Sequence, residues 1–370
     1  MSSRLVFVLI LVVVLAAAGY WYYRTQQEQP PPPPAKPVGA TVAIVAPLGL
    51  PPVPVPADNP PTAETIALGR RLYYDPALSV DNTIACATCH HPDFGFSDGK
   101  QFSEGVKGQK GGRNAPTVFN AAYYTTQFWD GRAPSLEEQA AGPMQNPVEM
   151  AHTLAGVEQK LNADPGYREA FKKAFGSDRI TIGMATKAIA SFERTVVSGN
   201  SPFDRYFYGG DKKALSPSAQ RGLEIFRDPK KGNCATCHAL GEQHALFTDN
   251  KFHNLGVGVV FSKSGEPIMK DLGRNDVTKQ EADKGAFKTP SLRNIALTAP
   301  YMHDGSLKTL KDVIDFYVGG GTSNPHLDKE VHALDFLTGK EREDLLAFLE
   351  SLTGEMPANV GPPDTPPAQK

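Results

Sequence analysis

Hydrophobic positions along this chain fall into three regimes. From Leu5 to Tyr23 they are almost continuous, and at about 1.5 Å per helical residue such a run spans a hydrocarbon core about 30 Å thick. Residues 1–24 therefore read as an uncleaved membrane anchor, with Tyr20, Trp21, Tyr22 and Tyr23 suited to the far interface. The alternative is a cleaved secretory signal, since Arg4 precedes the run and Ala16-Ala17-Ala18-Gly19 offers a small-residue cleavage site. Either reading exports the rest of the chain. In residues 25–61 prolines dominate, from Pro30 through Pro34 to Pro60 and Pro61. They favour extended polyproline conformation, so this segment is expected to be a semi-rigid spacer with no core of its own.

Beyond residue 61 the apolar positions recur with helical spacing, and little alternates as a strand would. Ile182, Ala185, Ile189, Phe192 and Val196 form one face. Ser216 and Pro217 supply an N-cap and first turn for a helix burying Ala219, Leu223 and Phe226. Thr338 and Glu341 make a capping box ahead of Leu345, Leu349 and Leu352. One pattern occurs twice: Gly69-x-x-Leu72-Tyr73-x-Asp75-Pro76 and Gly222-x-x-Ile225-Phe226-x-Asp228-Pro229. Each reads as a helix stopped at Asp-Pro, because proline disfavours helical backbone in the residue before it.

Composition narrows the function classes. The 370 residues carry 38 basic and 40 acidic side chains, a formal net charge of −2, which gives no field for holding nucleic acid. All four cysteines fall in two copies of one pentapeptide, Cys86-Ala87-Thr88-Cys89-His90 and Cys234-Ala235-Thr236-Cys237-His238. CxxCH is the attachment motif of c-type haem, in which two thioethers hold the porphyrin and the adjacent histidine meets the iron. Paired disulfides or a four-cysteine zinc site would use the same thiols, but neither accounts for a histidine after each pair. The repeat and the two motifs together predict a mostly α chain with two cytochrome c-like haem domains in tandem, 62–208 and 209–355, and a disordered tail at 356–370.

Two haems serve electron transfer or catalysis, depending on whether one iron is open and served by acid–base groups. The strings Arg113-Asn114-Ala115-Pro116-Thr117, Phe128-Trp129-Asp130-Gly131-Arg132-Ala133, Leu136 to Ala140 and Asn146 to Met150 bear on this. So do Phe287 to Asn294 and Thr298-Ala299-Pro300-Tyr301. With the haem motifs, they resemble the bacterial di-haem cytochrome c peroxidase family, including its MauG-like branch, from about Gly69 to Leu352. The resemblance implies that the haem on His90 reduces hydrogen peroxide and that the haem on His238 takes electrons from a small c-type cytochrome or similar periplasmic donor. It implies Glu149 as the distal proton shuttle, Gln139 as the amide that orients peroxide, and Trp129 as the bridge between the haems. It further implies a calcium ion held by Asn114 and the carbonyls of Thr298 and Pro300, and is compatible with a homodimer.

Two positions depart from the common pattern of that family. Where many members keep a histidine that blocks the peroxidatic iron, this chain has Val106 in Gly105 to Gly111; valine cannot ligate iron, and His91 adjoins the proximal His90. Where methionine commonly serves the second haem, the matching residue is Tyr317, with Met302 as competitor and His303 expected in a supporting role. His152, His244, His253, His326 and His332 read as structural or surface residues. Val106 and Tyr317 keep open a MauG-like oxidase acting on a partner protein, and a non-catalytic di-haem carrier is the remaining alternative.

Overall fold

The computed structural model describes residues 35–363 together with Val14, Ala16, Ala17 and residues 19–21. The chain divides into two units, Met1–Ala35 and Lys36–Lys370. In the first, Val14, Ala16, Ala17 and residues 19–21 are helical and exposed, and Ala35 is irregular and half-buried. The remainder of the expected anchor lies outside the described residues, among which no helix is long and apolar enough to cross a membrane.

The second unit is mostly helical, as its spacing predicts. Its helices are α1 (Ala63–Tyr74), α2 (Cys86–Cys89), α3 (Leu136–Gln145), α4 (Leu154–Ala163), α5 (Pro165–Phe175) and α6 (Ile182–Glu193), followed by α7 (Pro202–Phe207), α8 (Pro217–Arg227), α9 (Asn275–Thr278), α10 (Leu310–Val318) and α11 (Gly339–Glu350). Strand β1 (Phe252–His253) pairs antiparallel with β4 (Phe287–Lys288), and β2 (Val259–Phe261) with β3 (Pro267–Met269).

The repeated sequence pattern becomes a repeated helix crossing. Helix α1 packs on α6 and α8 packs on α11. A Cβ on Gly69 would stand 1.8 Å from the Ala188 carbonyl oxygen, and one on Gly222 would stand 1.9 Å from that of Asp344. Only glycine permits this approach. Both helices then stop where the pattern places the stop, at Asp75 and Asp228, each in extended backbone before proline.

Around each crossing lies a hydrophobic core. One gathers Tyr73, Ala87, Phe96, Phe119, Leu136, Phe192 and Val196. The other gathers Leu223, Phe226, Phe247, Ile314, Phe348 and Leu352. The predicted faces of α6, α8 and α11 supply much of both.

The segment expected to be a spacer behaves differently from residue 36 onward. It runs across the body as a strap: Val38 N donates to Ala174 O at 2.9 Å, and Tyr123 Oη and Arg293 Nη2 donate to the carbonyls of Pro51 and Gly49 at 2.8 and 2.7 Å. Proline lacks an N–H but keeps its carbonyl, so a proline-rich segment can accept hydrogen bonds from a folded surface. The tail differs too. Arg70 donates to the carbonyls of Gly361 and Pro362, Tyr74 Oη donates to Val360 O, and Val360 is buried in the first core; residues 364–370 lie outside the described residues.

One fully buried ion pair ties these parts together. The guanidinium of Arg293 meets both carboxylate oxygens of Asp204 at 2.9 Å and donates to Ala245 O and Gly49 O, each at 2.7 Å. Removing one partner of a buried, hydrogen-bonded pair leaves the other charge uncompensated, at a cost of about 3–5 kcal/mol. Arg293→Met is therefore expected to lower the free energy of chemical denaturation by about that amount, and pairing it with Asp204→Leu should recover a substantial part. A single-variant loss within error of zero would remove the pair as a fastener.

Candidate functional site

Each CxxCH motif is folded as one tight turn. Cys86–Cys89 forms α2, and Cys234–Thr236 a 3-10 turn. The backbone bonds His90 N to Cys86 O and His238 N to Cys234 O, at 3.0 and 2.9 Å, close the two turns. All four thiols are free, so no disulfide competes for them. Burial raises the Cys86 thiol pKa strongly, that of Cys234 to about 12 and that of Cys89 to about 11. Among the described residues, no metal-competent cluster joins the two motifs as a four-cysteine zinc site would require.

The histidines share one tautomer. His90 Nδ1 lies 3.3 Å from Phe96 O, and His238 Nδ1 lies 2.9 Å from Phe247 O. A carbonyl oxygen only accepts, so Nδ1 carries the proton and Nε2 keeps its lone pair for a metal. Burial lowers both imidazole pKa values, which favours that neutral form. Tyr73 Oη braces the first ligand through His90 O at 2.8 Å. This donor set suits covalent haem with axial histidine at both places.

Beside the first motif, the loop after α3 delivers Glu149. Its Oε1 accepts from Asn146 Nδ2 at 2.6 Å, and its carbonyl accepts from Val106 N at 2.8 Å. Burial raises the carboxyl pKa, outweighing the Asn146 hydrogen bond and the Arg132 charge. The Glu149 charge also raises the pKa values of Cys86 and Cys89, which places it in electrostatic reach of the motif. Val106 is 1% exposed. Gln139 is half-buried on α3. His91 is turned to its own loop, where Nδ1 accepts from Asp93 N at 3.2 Å.

Around the second motif, one apolar cavity collects residues from distant parts of the chain. Cys234, Cys237 and His238 share its wall with Trp129, Tyr317, Met302, His303, Asn114, Thr298 and Pro300. Burial, followed by the neighbouring Cys234 and Cys237, raises the Tyr317 phenol pKa. Trp129 Nε1 donates to Asn114 O at 2.9 Å. Asn114 Nδ2 donates to Lys100 O at 2.8 Å, leaving its side-chain oxygen as the atom suited to a hard cation. His303 is stacked on Phe287, with centroids 3.5 Å apart and planes at 11°. Burial lowers its pKa to about 4.

Sequence reading missed His253. It lies on the cavity wall, with Nε2 at 2.9 Å from Asp249 Oδ2 and Nδ1 at 2.5 Å from Asp328 Oδ2. Asp249, four positions earlier, is the only local sign; Asp328 is 75 positions away and reaches it only through the fold. Glu193 was missed as well. It is buried beside Arg194, its Oε2 has no hydrogen-bond partner among the described residues, and burial raises its pKa to about 8.

A family model described as di-haem cytochrome c peroxidase matches residues 63–213. The chain is similar to methylamine utilization protein MauG of Methylophilus methylotrophus, with 41% identity covering 82% of this chain and 86% of that protein. Cytochrome c551 peroxidase of Nitrosomonas europaea is 40% identical, with 85% and 90% covered. Among solved structures, a MauG-like protein associated with microbial copper homeostasis superposes with a TM-score of 0.73 at 36% identity, covering 84% of this chain and 95% of that one.

The His253 cluster generates a pH prediction. The free Cys237 thiol, and after it Asp328 and Asp249, raise the imidazole pKa against the opposing effect of burial; with Cys237 tied up as a haem thioether, the two aspartates that bond both ring nitrogens remain to raise it. A raised folded-state pKa contributes stability that is complete below the unfolded value of about 6.5 and is lost as pH rises through the folded value. Asp249 and Asp328 have lowered pKa values, so their share is present above about pH 4 and is lost on acidification. The stability advantage of wild type over His253→Gln, measured by denaturation, should peak at about pH 5–6.5 and shrink as pH rises above that range; a flat difference would remove the charged cluster as its source.

Proposed function

This chain belongs to the di-haem cytochrome c peroxidase family, and we propose that it reduces hydrogen peroxide to two waters at the His90 haem, with two electrons entering through the His238 haem. It is a haem-dependent peroxidase. The observation that carries the detailed reading is the half-buried Glu149, its carboxyl pKa raised by desolvation and the residue in electrostatic reach of the first haem motif.

When bound, the haems supply iron that takes up the two oxidising equivalents of the peroxide. The protein's part is to move protons and to hold open one coordination position. Glu149 takes the proton from one peroxide oxygen and returns it to the other, so that the leaving oxygen departs as water. Its raised pKa brings it nearer working pH, where a shuttle both accepts and gives a proton readily. Gln139 orients the peroxide through its amide. Val106 packs beside Glu149 and presents only methyl groups, so the oxidised enzyme would need no prior reduction to free its iron. Trp129, on the wall of the second haem cavity and tied to Asn114, serves as the aromatic bridge.

Tyr317, which lines the same cavity as His238, would hold the iron of the His238 haem together with that histidine. A phenolate favours the ferric and higher oxidation states, and its place on the His238 cavity wall supports a second reading, in which the oxidising equivalents are spent on a residue of a partner protein. Asn114 with the Thr298 and Pro300 carbonyls would hold calcium. The two cores support two haem domains meeting near residue 209. Export to the periplasm, with residues 5–23 as anchor or removed signal, suits covalent haem; a small c-type cytochrome is the proposed donor, and the enzyme is proposed as a homodimer.

Glu149→Gln should keep both haems and lower kcat with peroxide about 10²–10⁴-fold; a loss below threefold would sink the shuttle. Stopped-flow mixing of the fully oxidised protein with peroxide should show consumption without pre-reduction, and strict dependence on pre-reduction would overturn the reading of Val106. Electron paramagnetic resonance of the ferric protein should show one high-spin and one low-spin iron, without a methionine-sulfur band in the near infrared. Tyr317→Phe should alter the low-spin signal and Met302→Leu should not; the reverse result would make Met302 the ligand.

A further inference from the structure

Among the described residues four cationic side chains are buried: Lys187, Arg194, Arg293 and Lys288. Three face carboxylates, Lys187 with Asp58 at 3.0 Å, Arg194 with Glu137 at 2.7 Å and Arg293 with Asp204 at 2.9 Å. Lys288 does not. Its Nζ sits 3.1 Å from the centroid of the Tyr124 ring and makes no hydrogen bond or ion pair with any described residue, although the side chain is only 7% exposed. A cation–π contact returns far less than the desolvation of an ammonium costs.

The fold holds this amine in place. Lys288 lies on β4 opposite Phe252, and its N–H donates to Trp129 O at 2.8 Å. Lys288 and Tyr124, over whose ring the amine sits, both line the cavity whose wall includes Cys234, Cys237 and His238. Among the described residues, the only acidic one on that wall is Glu330, which is exposed and does not pair with it. A missing anion must therefore arrive with what fills the cavity. A c-type haem carries two carboxylates of its own, the propionates.

Resting on the reading of this chain as a di-haem protein, we infer that Lys288 is the counter-ion of a propionate of the His238 haem. The pair makes two otherwise costly charges mutually compensating. Burial alone pushes the ammonium down to about 7, whereas an ionised propionate favours the charged form. A retained positive charge also makes electron uptake by that haem easier, so Lys288 helps set its potential.

The test uses full-length holoprotein with Lys288→Met, Lys288→Gln and Lys288→Arg. Haem content is read as the pyridine haemochrome, and the midpoint of the low-spin haem by spectroelectrochemistry. With both haems present, the two neutral variants should make reduction about tenfold less favourable, a fall of 59 mV for one electron, while Lys288→Arg stays near wild type. Loss of the second haem in the neutral variants, restored by Lys288→Arg, supports the same assignment. Fully loaded neutral variants with an unmoved midpoint overturn it, as does loss of the second haem in all three, since shape rather than charge would then be required. Absence of covalent haem from wild type would instead sink the di-haem reading itself.

Discussion

A helix crossing too close for a Cβ governs this molecule twice. At Gly69 against Ala188, and at Gly222 against Asp344, the backbone of one helix rests on a carbonyl of another. Both glycine-bearing helices end at an Asp-Pro step and lead to a CxxCH turn. Crossing, stop and turn therefore act as one unit. The core built around each crossing then supplies the carbonyl that orients the ligand histidine: Phe96 and Phe247, which are fully buried, are the residues whose oxygens meet His90 and His238. Packing in this protein is thus directly the source of imidazole tautomer.

From this common plan the two halves diverge through their electrostatics. The first places a half-buried carboxyl, Glu149, near its motif, where desolvation raises its pKa against the Asn146 hydrogen bond and the Arg132 charge. The second surrounds its motif with aromatic rings and with cations of two kinds, the doubly paired His253 and the unpaired Lys288. A carboxyl with a raised pKa suits proton transfer, and an ammonium without a carboxylate suits an anionic group beside it.

Much of this is legible in the string of residues, for local reasons. The paired pentapeptides name the cofactor because two thiols and a histidine at fixed spacing leave few alternatives. Apolar residues at helical spacing mark α6, α8 and α11, and the Asp-Pro steps mark where α1 and α8 stop. What could not be read locally is what proline-rich chain does next to a folded surface. Residues 36–61 are tied down by carbonyls, which every residue has and which no composition records. The C-terminal segment behaves likewise: Val360 enters a core assembled almost three hundred positions earlier, where Tyr74 and Arg70 hold its neighbours.

By itself, then, the sequence determined the helical plan, the repeated pattern and the two haem attachments, because each depends on backbone preferences or on residues within a few positions of one another. Only the tertiary structure decided that Tyr317, Trp129, Asn114 and Lys288 share one cavity wall with His238, that His253 is clamped by Asp249 and Asp328, and that Lys288 is left without an anion. Those outcomes depend on desolvation and on distances between residues remote along the chain. Burial sets the charge state of an ionisable group, and burial is a property of the folded whole.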